Sequence, residues 1–263
     1  MPELPEVETI RRTLACRVEG RRIRAAWFLS PLVADGRPEV LSARLKGARI
    51  ERLDRLGKHL LARLEGGATL DIHLRMTGKL LWNGEAGRWA RAVIELDEGR
   101  VVFEDIRQFG RMRWWGEGEG PAGLGPDALG LSLREFAARL KGRRGRVKPL
   151  LLNQAVVAGL GNIYVDEALF RAGIHPLAQA RRLGLTRMRR LHEAIMMVLN
   201  EAIEAGGSSI ADYVDAEGAR GGFQEWHQVY GRAGLPCVRC AAPVQRMVVS
   251  QRGTHYCRVC QRR

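Results

Sequence analysis

The 263-residue sequence predicts a multidomain chain of mixed α and β structure that ends in a small metal-binding module. Three observations lead there. Residues 22–118 read as strands joined by glycine-marked turns. Four stretches after residue 130 carry apolar residues at helical spacing. Four of the five cysteines fall within the last 27 residues.

Composition narrows the class. The chain is long enough for a real core and for more than one domain. Apolar residues make up 46% of it, as in a globular protein. No run of about 18 apolar residues would span a membrane. The opening residues lack the charged-then-apolar pattern of a secretory signal, so a cytoplasmic location is expected. Lys and Arg number 43 against 29 Asp and Glu, a net charge of +14. Arginine dominates the excess, and its planar fork matches phosphate in two-point contacts. Such a field favours a polyanion, nucleic acid first. The bland alternative is a well-solvated basic surface.

The first element is a helix within MPELPEVETIRR. Pro5 suits a first helical position, with Glu6 and Glu8 in the first turn and Val7, Ile10 and Leu14 as an apolar stripe. Capping accounts for all of these but not for Pro2. Removal of Met1 would free the secondary amine of Pro2. An α-amino group titrates near 7.7–8.0, and the positive end of the helix lowers it further. A neutral amine there can attack an electrophilic carbon and form an iminium, with Glu3 moving protons. The residues alone leave simple capping and amine chemistry both open. Cys16, isolated in this helix, is expected to be a small buried residue.

Strands follow. LGKHLLARLEGGATLDIHLRM is two runs around a Glu65-Gly66-Gly67 turn. Leu70, Ile72, Leu74 and Met76 alternate with Thr69, Asp71, His73 and Arg75, so the pattern puts Met76 on the apolar face and His73 on the exposed one. ARAVIELDEGRVVFED is a second hairpin, turning near Asp97-Glu98-Gly99, and Phe109 beyond it reads as a core aromatic. The Gly/Pro-rich GEGEGPAGLGPDALG is a linker. The expected division is a β-rich domain at 1–118, a linker at 119–130, a helical domain at 131–222 and a metal module at 229–263.

LSLREFAARLKG, VKPLLLNQAVVAG, NIYVDEALFRAG and LTRMRRLHEAIMMVLNEAIEAGG read as helices. Between the middle two lies Gly159-Leu160-Gly161-Asn162. Asn162 is a good N-cap, and small glycines let a phosphate approach the free N–H groups of the next helix. Such contacts position a duplex without reading its sequence. Asp166 and Glu167 are expected to complement the helix dipole. GGSSIADYVDAEGARGGFQ reads as a loop.

The tail holds Cys237-x2-Cys240, sixteen residues, and Cys257-x2-Cys260. Each pair offers two thiolates to one ion, and four soft ligands select tetrahedral Zn²⁺. A redox pair or an iron site is the alternative. Four ligands leave no open position, so the metal is expected to be structural. RMVVS and THY read as strands about a Gln251-Arg252-Gly253 turn. Arg239, Arg246, Arg252, Arg258, Arg262 and Arg263 make the hairpin basic, with Arg252 at its tip aimed toward DNA.

MPELPEVETIRR, LGKHLL, HLRMTG, DIRQFGR, AGLGNIYVDEALF, GGFQEWHQVYGRAGLPC and the CxxC pairs, in this order over nearly the whole chain, resemble the formamidopyrimidine-DNA glycosylase family. The resemblance implies an N-terminal β-sandwich with a leading helix, a helix–two-turn–helix domain and a zinc-finger β-hairpin. It implies a bacterial base-excision enzyme that removes 8-oxoguanine and formamidopyrimidines from duplex DNA, then cuts the strand at the abasic site. Pro2 would be the Schiff-base nucleophile and Glu3 the proton carrier, with Glu6 in the same region. Lys58 would assist β-elimination and contact phosphate, and Arg252 would serve δ-elimination and phosphate binding. Asn162 and His73 would hold backbone phosphate. Met76, Arg107 and Phe109 would fill the gap left by the everted base, with Arg107 facing the orphaned cytosine. Arg143 falls at a DNA-contacting position, and Tyr213 lies in the loop expected to close over the lesion. One zinc, no other cofactor, no membrane and a monomer at the nucleoid are expected. One departure stands out: GRWARAV places Trp89 and Arg91 where the family often carries a histidine pair.

Rival readings are an endonuclease VIII-like relative acting on pyrimidines and a noncatalytic zinc-finger DNA-binding protein. The first typically begins PEGPE, not PELPE; the second would not need Pro2, Glu3 and Lys58. A metal-dependent nuclease lacks support, since neither HExxH nor a carboxylate cluster is evident.

Overall fold

The computed structural model describes residues 2–263. The chain forms two units, and the first is discontinuous in sequence: it combines the residues up to Ala122 with Ala205–Gly222. The second holds Gly123–Glu204 and Phe223–Arg263. The segment expected to close the helical domain, residues 205–222, thus packs with the N-terminal residues. Its small polar composition carries no sign of which body it joins.

In the first unit, α1 (Leu4–Val18) is followed by β1 (Ile23–Phe28), α2 (Pro38–Leu45), β2 (Ile50–Leu56), β3 (His59–Leu64) and β4 (Thr69–His73). Then come β5 (Lys79–Trp82), β6 (Ala90–Leu96), β7 (Arg100–Glu104) and β8 (Arg111–Trp115). Two four-stranded antiparallel sheets result, ordered β1-β6-β7-β5 and β2-β3-β4-β8. One buried cluster draws Ile10 and Leu14 from α1, Leu60 and Ile72 from one sheet, and Ile94 and Phe103 from the other. This is a β-sandwich with a helix packed into its core.

Three local expectations change. Helix α2 occupies a stretch read as strand; Pro38 and Glu39 start it and Leu41 and Leu45 bury it, too short a pattern to separate from a strand run. The polar face of β4 is covered as well, since Thr69 and Asp71 are buried. Cys16 is exposed, because it lies off the Ile10–Leu14–Val18 stripe of α1.

The second unit contains α3 (Leu133–Lys141), α4 (Val147–Leu152), α5 (Asn162–Arg171), α6 (Leu185–Glu204) and the hairpin β9 (Gln245–Val249)–β10 (Arg252–Tyr256). Helix α4 is shorter than VKPLLLNQAVVAG suggests. Asn153 Oδ1 accepts from Ala155 N, and Gln154 bonds Leu152 O, Leu160 O and Gly159 N. These side chains satisfy the backbone outside a helix and turn it toward α5.

Candidate catalytic residues and nucleic-acid interface

In the first unit, Glu3 caps α1, Leu4 is its first residue and Pro5 its second, one position later than expected. Pro2 and Glu3 are buried. Glu6 accepts from Glu3 N through Oε2 at 2.7 Å and from Ser208 N through Oε1 at 2.8 Å. Glu8 lies beyond the first turn and accepts from Arg11, Arg12 and Arg55. Burial pushes the Glu8 carboxyl upward, but the three guanidiniums outweigh it and hold it at about 2.

The same Arg55 reaches the next candidate. Its Nη1 donates to Gly57 O at 3.1 Å, just before Lys58. Gly57 and Lys58 form the two-residue loop between β2 and β3, and Gly57 has φ +59°, a left-handed value that glycine adopts without strain. Lys58 is held 7% exposed at that apex.

His73 pairs with His59 across β3 and β4, the rings edge to face at 4.6 Å. His59 Nδ1 lies 2.8 Å from Asp71 Oδ1, and Trp115 Nε1 donates to Asp71 Oδ2. Burial, then His59, Arg75 and Lys58, hold the His73 imidazole down at about 3, so it is neutral at physiological pH. Its Nδ1 accepts from Arg75 N at 3.0 Å. The ring proton therefore belongs on Nε2, which makes that nitrogen a donor for a phosphate oxygen.

Met76 and Phe109 are neither strand-face nor core residues: they are 38% and 46% exposed. Arg107 is exposed too, its guanidinium 4.7 Å from the Phe109 ring centre. A buried carboxylate that sequence reasoning missed organises them. Asp105 Oδ1 accepts from the Thr77 hydroxyl and from Arg107 N, and Oδ2 accepts from Gly110 N at 2.7 Å. Thr77 adjoins Met76, so one side chain ties the Met76 turn to the Arg107–Phe109 loop. Arg91, from the departing GRWARAV stretch, donates from Nε to Asp105 O at 2.8 Å. Arg88 stacks on Trp89 at 4.3 Å. Asp105 heads the DIRQFGR string, but nothing local to it announced this bracing role.

Tyr213 is buried, unlike a surface contact. Its hydroxyl lies 3.1 Å from Gly206 O and 3.3 Å from Glu6 O. Burial and the nearby Glu6 charge push its phenol upward.

In the second unit, Gly161 rather than Asn162 caps α5, and Asn162 is its first residue. Asn162 Nδ2 donates to Gly253 O at 2.8 Å, tying the helix start to the terminal hairpin. Asp166 and Glu167 do not face solvent near the helix start; both are fully buried. Asp166 Oδ1 takes the buried Lys148 ammonium at 2.6 Å, and its Oδ2 accepts from His255 N at 2.8 Å. Glu167 accepts from Gln228, Val229 and Tyr230 N; burial raises its carboxyl against those bonds. These acids hold the hairpin and the segment before it, a role no residue pattern announced. Arg143, exposed, folds Nε back to Arg139 O at the end of α3.

The hairpin turn falls at Ser250 and Gln251, both at positive φ, one residue earlier than expected. Two left-handed residues match the twist of a two-residue β-hairpin loop. Arg252 therefore starts β10 beside the turn, exposed. The four cysteine Sγ atoms lie within 4.8 Å of one another, with pairs at 3.5 and 3.9 Å. Tetrahedral zinc with bonds of about 2.3 Å needs S···S of roughly 3.8 Å, so the donor set fits.

Models of the formamidopyrimidine-DNA glycosylase N-terminal domain, its H2TH domain, and the zinc finger found in FPG and IleRS match residues 1–112, 123–214 and 234–263. A formamidopyrimidine-DNA glycosylase of Solibacter usitatus is 52% identical over the full length of both chains. The chain belongs to the formamidopyrimidine-DNA glycosylase family. MutM (Fpg) of Thermus thermophilus is 43% identical, with TM-score 0.91, over 99% of this chain and 98% of that one. A Lactococcus lactis Fpg variant bound to Fapy-dG-containing DNA is 35% identical, with TM-score 0.91, over all of both chains. Within this family the four thiolates hold one structural zinc. Among the described residues, no helix is long and apolar enough to cross a membrane.

Proposed function

We propose that this glycosylase removes oxidised purines, 8-oxoguanine and formamidopyrimidines, from duplex DNA and then cleaves the strand as an AP lyase. The observation that carries the reading is the start of α1. Pro2 and Glu3 are buried together there, beside the positive helix end, and the Glu6 carboxylate fixes the Glu3 backbone.

With Met1 removed, the Pro2 nitrogen attacks C1′ of the damaged nucleotide. The glycosidic bond breaks, the base leaves with its electron pair and a proton, and the opened sugar becomes an iminium on Pro2. Glu3 carries protons at the sugar. The iminium acidifies C2′; loss of that proton expels the 3′ phosphate, and a second elimination expels the 5′ phosphate. Lys58 contacts phosphate and assists the first elimination, and Arg252 the second. His73, through Nε2, and Asn162 and Arg143 grip backbone phosphates. Met76, Arg107 and Phe109 occupy the space of the everted base, Arg107 facing cytosine. Tyr213, in the loop that closes over the everted base, contacts the DNA there, and its hydroxyl also meets Glu6 O. The enzyme works as a monomer in the bacterial cytoplasm, at the nucleoid.

Borohydride trapping on a duplex with one 8-oxoguanine opposite cytosine tests this. A covalent adduct mapping to Pro2 is expected, and Pro2→Gly, which keeps an amine but not the proline ring, should sharply reduce base excision while leaving duplex binding largely intact. Protein that begins at Pro2 and binds the duplex yet gives no adduct would reduce the reading to a noncatalytic DNA-binding protein. An adduct with oxidised pyrimidines alone would favour the endonuclease VIII-like alternative.

A further inference from the structure

Carboxylates take up many of the arginines in this basic chain. Glu8 pairs with Arg11, Arg12 and Arg55, Asp54 with Arg52 and Arg63, and Glu201 with Arg171. One cavity in the second unit breaks that pattern. It has a volume of about 550 Å³, and Arg144, Arg146, Arg182, Arg187 and Arg263 line it with no aspartate or glutamate. Among the described residues, none of the five makes an ion pair.

The walls are built, not loose. Arg146 and Gln179 pair across an antiparallel bridge; Val147 N donates to Ala178 O and Ala180 N to Gly145 O. Opposite, Arg187 Nη2 and His175 N both donate to Arg262 O, at 2.7 and 2.9 Å. Burial and the neighbouring Arg190 draw the Arg187 guanidinium below its usual range. Convergent like charges repel, and nothing in the wall offsets them. A ligand with several negative charges would. A volume within roughly 300–1,000 Å³ is that of a small-molecule site and exceeds the needs of one phosphate.

We infer that this cavity binds an oligophosphate anion, two or more linked phosphate groups gripped by the guanidinium forks. The groups come either from a free polyphosphate or from successive phosphodiesters of a DNA strand. The inference is independent of the chemistry at Pro2.

Titration calorimetry of the zinc-loaded full chain with inorganic tripolyphosphate tests it at fixed ionic strength. Saturable single-site binding is expected, weakened at least about tenfold in Arg144→Ala/Arg182→Ala. Both side chains are exposed, so the fold should persist; Arg144→Gln/Arg182→Gln serves as a second pair if circular dichroism shows otherwise. Arg134→Ala, an exposed arginine outside the cavity, should bind as the parent does. No saturable binding, or an equal loss in Arg134→Ala, overturns the site. The source is read from undamaged duplex. If strand phosphates fill the cavity, the double variant lowers the salt slope of duplex binding by about 1.8. If a free polyphosphate fills it, that slope is unchanged.

Discussion

The Glu6 carboxylate joins two distant stretches of chain: it accepts from Glu3 N with one oxygen and from Ser208 N with the other. The helix start that carries Pro2 and the loop at 205–222 are thereby set by one side chain. Glu6→Gln turns an NH₂ toward one of those donors. We expect a loss of about 1–3 kcal/mol in stability. Base excision should fall more than duplex affinity, read by single-turnover kinetics beside equilibrium binding. Unchanged excision would detach Glu6 from the chemistry.

Asp105 makes a similar prediction for the gap-filling residues. Asp105→Ala leaves the Gly110 amide without its acceptor and the Arg107 amide with only the Thr77 hydroxyl. The orphaned Gly110 donor costs about 1–3 kcal/mol if it stays buried. Hydrogen exchange at those two amides should accelerate, and excision opposite cytosine should drop at least about tenfold, in proportion to about 1.4 kcal/mol of lost positioning. Protected amides in the variant would refute the bracing role.

Glu8 predicts a pH dependence. Its carboxyl lies at about 2 in the fold against an ordinary 4.5. A depressed acid stabilises fully above the ordinary value and loses that stabilisation as pH falls from about 4.5 toward 2. The gap is worth at most about 3 kcal/mol. Five of the six tryptophans lie in the first unit, so fluorescence-detected urea unfolding reports on it. Glu8→Gln should flatten the midpoint's fall across that acid window; an unaltered fall would point to other groups.

Zinc removal should be severe. Cys257 is fully buried, and Cys257→Ser takes away one of four thiolates. Metal content should fall from one zinc per chain toward none, and duplex affinity should drop because binding energy of the metal is folding energy of the hairpin. Undiminished affinity in zinc-free protein would remove the hairpin from the DNA interface.

These residues differ in how far sequence exposes them. The cysteine spacing and the hairpin turns are local patterns, legible in a few residues. The motif order marked Pro2, Lys58 and Arg252 because each stands in a short distinctive string. Asp105, Lys148, Asp166 and Glu167 were not legible in these roles. A charged residue looks solvated until its partners arrive from far along the chain, as Lys148 meets Asp166 and Asp166 meets His255 N. Cys16 failed for the converse reason: a small apolar type says nothing of which helix face it occupies. Met76 alternated correctly as a strand residue, yet β4 ends at His73, so the pattern outran the strand.

The buried acids of α5 have a further consequence for anyone who would transplant this finger. Cutting the chain before residue 229 would strip Glu167 of two of its three donors and Asp166 of its His255 contact. It would also take the Gly253 and His255 partners from the buried Lys148–Asp166 pair and open that pair to water. The hairpin is thus not a cassette. A graft that exchanged fingers between relatives would have to carry α5 along, with Asn162, Asp166 and Glu167 as its fasteners.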